Sequence, residues 1–201
     1  MLKIIIITVV GYLIGGISPS FILAKLNGFN IKEKGSKNCG ASNAFLTMGI
    51  KVAILVGFID MLKVCISVLL VYPFCKDVQY FHLIAAFSCT LGHIFPFYLK
   101  FKGGKGFACL IICMFFVNPL FGLVTLLVAV ICAALSNYII VATMICTIAT
   151  SVFVPVYTNF ALIPVIYCYL ATVTIFVRHI PNVIKIIKGE EFHIIEKKNK
   201  N

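Results

Sequence analysis

Phe107–Leu135 reads FACLIICMFFVNPLFGLVTLLVAVICAAL, and the way it divides decides the fold. As one helix it is a single long span; with a turn at Asn118-Pro119 it becomes two short helices, and the number of membrane crossings changes from even to odd. Charge on either side arbitrates. Lys25, Lys32, Lys34, Lys37 and Lys51 flank a polar segment near the N-terminus, Lys100, Lys102 and Lys105 precede the quoted stretch, and Arg178, Lys185, Lys188, Lys197, Lys198 and Lys200 fill the tail. Only Lys3, Lys63 and Lys76 lie elsewhere. Positive charge collects on the cytoplasmic side of a membrane protein, so both loops and the tail belong there, which requires an odd number of crossings. The split reading is therefore expected: an all-α, polytopic helical bundle of about seven transmembrane helices, N-terminus outside and C-terminus cytoplasmic. Its two pieces are shorter than a full span and are expected as thin or re-entrant helices buried in the bundle.

Composition supports the membrane class. The chain has 201 residues, of which 62% are hydrophobic and 11% charged, and a mean hydropathy of +1.11. Soluble globular domains lie far from these values. Met1–Ala24 is long enough to cross a bilayer and shows no small-residue cleavage site, so it is expected as a retained first span, with a kink or a close helix contact where Gly15, Gly16 and Pro19 interrupt it. Further spans are expected at Gly49–Tyr72, Tyr80–Leu99, Leu120–Leu135, Tyr138–Tyr157 and Phe160–Val177, with Pro73–Gln79 as a short exit loop. Residues 1–201 are read as one domain. The nine cysteines lie mostly in apolar segments without a CxxC pair, as small packing residues do. A net charge of +11 points to lipid headgroups and anionic ligands, whereas no motif supports nucleic acid.

Polar chemistry is concentrated in three places. Lys100–Gly106, KFKGGKG, couples glycines able to turn backbone N–H groups toward an anion with lysines able to neutralise it, and the helix expected from Phe107 would add its N-terminal partial charge. The same stretch serves equally well as a basic anchor in lipid headgroups. It is no Walker A loop, because Gly106 follows Lys105 where Ser or Thr would hold magnesium. The long polar loop Lys25–Gly49 offers Ser36, Lys37, Asn38, Ser42 and Asn43 as donors to phosphate oxygens, and Arg178, His179 and Asn182 follow the last span. The expected topology opens all three on one face. Asp60 and Lys63, at i,i+3 inside the second span, are expected to pair, either for structure alone or to orient a phosphate site from below. His82 and His93 lack a second ligand at useful spacing and are read as ordinary interfacial histidines, and no metal site is expected.

Three blocks, GSKNCGASNAFLTMG (Gly35–Gly49), GHIFPFYLKFKGGKG (Gly92–Gly106) and RHIPNVIKIIKGEE (Arg178–Glu191), together with Asp60 and Lys63 as a D-x-x-K pair, carry a family resemblance. The chain resembles the acyl-phosphate:glycerol-3-phosphate acyltransferases, the PlsY type of bacterial membrane enzyme, over nearly its whole length. That resemblance implies transfer of a fatty acyl group from acyl phosphate to the 1-hydroxyl of glycerol 3-phosphate, giving lysophosphatidic acid for phospholipid synthesis without coenzyme A, metal or other cofactor. It implies a multi-pass protein of the bacterial plasma membrane with its site on the cytoplasmic face. Ser36, Lys105, His179 and Asn182 are the implied catalytic residues, and Ser42, Asn43, Lys102, Gly103, Gly104 and Gly106 the implied phosphate-binding ones. The proton acceptor is open between His179 and a substrate phosphate oxygen.

The chain also departs from the family pattern. Leu46 stands where an arginine is usual, which removes a bidentate phosphate donor, and Lys37 and Lys51 are the cations nearest in sequence. Ser42 replaces a threonine, Ile180 an arginine, and the serine-rich turn after the fifth span shrinks to Ala134-Leu135-Ser136-Asn137. Leu46 favours a second class of function, a non-catalytic membrane paralogue that binds or transports a phosphorylated lipid precursor. Acyltransferases of the H-x-x-x-x-D class do not fit, since Tyr98 and Ile184 stand five residues after His93 and His179, and GxSxG is absent.

Overall fold

The computed structural model describes residues 1–193, all-helical apart from turns and loops, so Lys197, Lys198 and Lys200 of the tail lie outside the described residues. The helices are α1 (Leu2–Gly16), α2 (Pro19–Leu26), α3 (Ala41–Met48), α4 (Ile50–Cys75), α5 (Phe81–Ile94), α6 (Phe107–Val117), α7 (Pro119–Ser136), α8 (Ile139–Tyr157) and α9 (Leu162–Ile187), with a 3-10 turn at Phe97–Leu99. Among the described residues, six segments are long and apolar enough to cross a membrane: Leu2–Leu26, Ile50–Cys75, Phe81–Leu99, Pro119–Ser136, Ile139–Tyr157 and Leu162–Ile187.

The division at Asn118-Pro119 is present. Asn118 caps α7 by accepting from the N–H groups of Leu120 at 2.9 Å and Phe121 at 3.2 Å, while Pro119 supplies a helical φ where no N–H bond is needed. The first piece matches expectation and the second does not. α6, with 11 residues, is short and buried, whereas α7 reaches 18 residues and turns most of its surface outward, with Leu120, Leu127, Val130 and Ile131 exposed. An outward apolar face is satisfied by lipid, so α7 needs no protein cover.

α5 is the centre of the bundle. Eleven of its fourteen residues are buried, and α1, α4, α6 and α9 pack around it. Small residues allow the closest approach: a Cβ on Gly15 of α1 would overlap the carbonyl oxygen of Cys89 on α5. Helices in lipid gain little from hydrophobic association and pack through such backbone proximity. The core they enclose is lined by Ile7, Val64, Phe87, Leu110, Met114 and Ile175.

The interruption expected near Gly15, Gly16 and Pro19 is present both as the close approach of Gly15 to α5 and as a break between α1 and α2. The Tyr98 hydroxyl bridges the gap, donating to Gly16 O at 2.8 Å and accepting from Ser18 N at 3.1 Å. Two expectations are corrected. Pro73, expected in the exit loop, lies inside α4, which continues to Cys75; a proline this near a helix end removes only one backbone bond. The segment expected as one long loop contains α3, because Ala44, Phe45 and Met48 pack against Ala53 and Val56 of α4. At the other end of α4, Lys3 pairs with Asp77 at 2.6 Å.

Candidate active site

The first loop, the KFKGGKG turn and the end of α9 meet at one end of the bundle. Lys32 Nζ donates to Leu99 O at 2.8 Å, Cys39 N approaches Gly103 O at 3.5 Å, and Arg178 Nη2 reaches the same carbonyl at 3.4 Å. Between them opens a cleft of about 230 Å³. Ser36, Lys37 and Asn38 form one wall, Lys105 another, and Arg178, Pro181, Asn182 and Lys185 the third. Arg178, Asn182 and Lys185 stand at i, i+4 and i+7, so one stripe of α9 faces the opening.

Lys105 and Asn182 are joined directly, the ammonium donating to the amide oxygen. The Asn182 amide nitrogen donates in turn to both carboxylate oxygens of Glu191, at 2.9 Å each. Burial pushes the Lys105 pKa down to about 8; Glu191 acts in the opposite direction, while Arg178 and Lys185 lower it further. An ammonium so placed gives up its water on binding an anion at less cost than a solvated one. The segment bearing Glu191 lies across this end of the bundle, with Phe192 against Phe45 at 5.6 Å and His193 tilted on Tyr138 at 4.7 Å between ring centroids.

The expected residues fall into groups. Ser36, Lys105 and Asn182 line the cleft. His179 is buried just behind the wall, with Nδ1 held by Ile175 O at 2.8 Å, so Nε2 is the nitrogen left for a ligand. Asn43 does not face the opening. It is fully buried; its amide oxygen accepts from Ser36 N at 2.7 Å, and its NH₂ group lies 3.0, 3.1 and 2.9 Å from the carbonyls of Ile31, Lys34 and Asn38. Its position makes it the scaffold of the first loop. Ser42 and Lys102 are exposed outside the cleft wall.

The glycines correct the expected anion nest. Gly103 N donates to Ile94 O and Gly104 N to His93 O, both at 3.0 Å, so these two N–H groups are taken by protein carbonyls. Gly106, at φ +91°, instead begins α6 as its N-cap without a side-chain cap. The first turn of α6 thus supplies the partial positive charge beside Lys105.

Sequence reasoning also missed partners. Asp60 and Lys63 pair as expected, Lys63 Nζ lying 2.8 Å from Asp60 Oδ1, but His93 is part of the same group and not an interfacial residue. Lys185 and Glu191 were given no part; the α9 stripe could have suggested Lys185, while nothing local distinguishes Glu191.

Comparison with known proteins agrees with this geometry. A family model described as glycerol-3-phosphate acyltransferase matches residues 5–189. A glycerol-3-phosphate acyltransferase of Wolbachia pipientis subsp. Culex pipiens is 33% identical over 188 residues, covering 92% of this chain and 96% of that protein. Its counterpart in Bacillus subtilis strain 168 is 34% identical over 189 residues, covering 92% and 95%. The crystal structure of PlsY, an integral membrane glycerol 3-phosphate acyltransferase, in its glycerol 3-phosphate form superposes with a TM-score of 0.83 at 27% identity over 94% of each chain. Its lysophosphatidic acid form gives 0.79 at the same identity and coverage.

Proposed function

The chain belongs to the glycerol-3-phosphate acyltransferase family, and from that membership we propose that it moves a fatty acyl group from acyl phosphate to the 1-hydroxyl of glycerol 3-phosphate. The products are lysophosphatidic acid and inorganic phosphate. The reaction takes place in the cleft between the first loop, Lys105 and α9, on the cytoplasmic face of a bacterial plasma membrane. The observation that carries the reading is the convergence of Lys37, Lys105, Arg178 and Lys185 with the donors of Ser36 and Asn182 around one opening. Two phosphate-bearing substrates need such a surplus of positive charge to lie side by side.

In this mechanism the O1 oxygen of glycerol 3-phosphate attacks the acyl carbonyl carbon. A new C–O bond forms, the bond from that carbon to the phosphate oxygen breaks, and the bonding pair leaves with inorganic phosphate. The leaving group is already good, so the protein contributes alignment and charge stabilisation more than activation. Lys105 stands between the two substrates and holds the phosphate of glycerol 3-phosphate together with, at the first turn of α6, the departing phosphate, while Ser36 and Asn182 orient the glycerol moiety. For the hydroxyl proton this reading leaves two acceptors, His179 Nε2 and a substrate phosphate oxygen. Leu46, exposed on α3, adds no charge to the opening.

The test is turnover by purified protein, read as released phosphate and as lysophosphatidic acid. Wild type should give both, and Lys105→Ala should lower kcat/KM about a hundredfold, the scale of losing one preorganised charge-stabilising donor. Glycerol 3-phosphate binding that depends on Lys105, without product from wild type or Leu46→Arg, would instead establish a non-catalytic binding protein.

A further inference from the structure

Asp60, Lys63 and His93 form a buried cluster between α4 and α5, with 2%, 3% and 6% of their surface exposed, and the reaction described above uses none of them. We propose that His93, held by Lys63 and Asp60, is a positioning residue that fixes the Gly103–Lys105 turn and thereby where the Lys105 ammonium stands in the cleft. The inference rests on the acyltransferase reading for the meaning of that cleft.

His93 grips the turn twice. Its carbonyl accepts from Gly104 N at 3.0 Å, while its neighbour's carbonyl, Ile94 O, accepts from Gly103 N at 3.0 Å. Its ring lies against the same turn, Nε2 foremost, so close that a Cβ on Gly104 would overlap Nε2. The other edge of the ring is tied down: Nδ1 is 2.8 Å from Lys63 Nζ, and Asp60 Oδ1, 2.8 Å from that ammonium, keeps it there. An ammonium has no lone pair, so Nδ1 accepts from Lys63, and a neutral ring then carries its proton on Nε2, toward Gly104. Rotation of the ring would strip a buried ammonium of one of its partners, which a low-dielectric interior penalises heavily.

The cluster is also fixed from outside. Lys63 Nζ donates to Ile17 O at 3.0 Å, in the gap between α1 and α2, and Cys109 Sγ of α6 donates to the backbone carbonyl of Asp60 at 3.3 Å. Asp60 Oδ1 meets Lys63 as an ion-pair contact without an aligned hydrogen bond. The α1–α2 gap and α6 are thus both tied to the part of α4 that carries the ionic pair. Charged groups inside a membrane protein are costly and are commonly kept for function. Gly104 is joined to Lys105 by a single peptide, so a displacement of the turn passes to the lysine almost undiminished.

The experiment compares wild type, His93→Ala, His93→Gln, Gly104→Ala and the His93→Ala/Gly104→Ala double variant. Glycerol 3-phosphate binding is measured by calorimetry, turnover by phosphate release, and folding by melting temperature. His93→Gln retains an oxygen to accept from Lys63 but loses the rigid ring; it should melt near wild type and yet bind glycerol 3-phosphate about tenfold more weakly, with KM raised more than kcat is lowered. Gly104→Ala should lose at least as much. The double variant, whose new methyl enters the space vacated by the imidazole, should recover most of that loss. Wild-type affinity in a folded His93→Gln, or losses that simply multiply in the double variant, would overturn the proposal. Should His93→Ala fail to fold, His93→Gln and Gly104→Ala still decide. A wild type that binds glycerol 3-phosphate without turnover refutes the acyltransferase reading while leaving the binding series decisive, and a wild type that does not bind it refutes both.

Discussion

Lys105 combines position with a proton balance open to direct test. Its pKa is drawn from 10.5 to about 8 by burial, with Glu191 opposing and Arg178 and Lys185 assisting. Between these values the folded protein holds fewer protons than the unfolded chain, so stability contributed by this residue rises with pH across that window, while anion binding falls as the ammonium is lost. A kcat/KM profile should therefore show an alkaline limb near pH 8. Glu191→Gln should move the limb to lower pH, Lys185→Ala to higher pH, and no shift in either variant would separate Lys105 from the limb. Residues of this kind were legible in the sequence because Ser36, Lys105 and Asn182 are polar groups beside apolar spans. Asn43 and His93 were misread for one physical reason: a buried polar side chain is defined by its partners, and those of His93 lie on another helix, 30 positions away in the case of Lys63. Glu191 was hidden likewise, its role depending on a fold-back that no short-range pattern encodes.

Among the elements, the α6–α7 junction was readable and α3 was not. Asn118-Pro119 combines a side-chain cap with a residue suited to the first helical position, and both signals act within four residues. Asn118→Ala should cost about 1 kcal/mol, seen as a lower melting temperature with turnover retained at permissive temperature, because the junction lies outside the cleft. α3 has only 8 residues, too short to announce itself by periodicity, and its stability comes from α4. The outward face of α7 was misjudged as buried, since hydropathy treats a helix facing lipid and one enclosed by protein alike. Gly15→Leu tests the opposite kind of contact. With no room for a side chain against Cys89, it should destabilise the bundle by about 3 kcal/mol, measurable in detergent melts.

For the whole molecule, the charge bias anticipated that the first loop, the lysine-rich turn and the end of α9 share one end, and their mutual contacts bear this out. Lys3 and Asp77 pair beyond the far end of α4. Cysteines introduced at Lys3 and at Lys102, in a background lacking native cysteines, should accordingly react with a membrane-impermeant maleimide from opposite sides of the bilayer. Equal labelling from one side would refute the proposed sidedness. The gap between α1 and α2 has a consequence for biogenesis. Among the described residues Ile17 O finds its donor in Lys63, which leaves the ribosome well after the first hydrophobic segment has entered the insertion machinery. Until then that carbonyl would be stranded in hydrocarbon, so release of the nascent first segment should wait for the arrival of α4. Ribosome-arrested chains halted before Lys63 should crosslink to the translocon, and chains halted well beyond it should not.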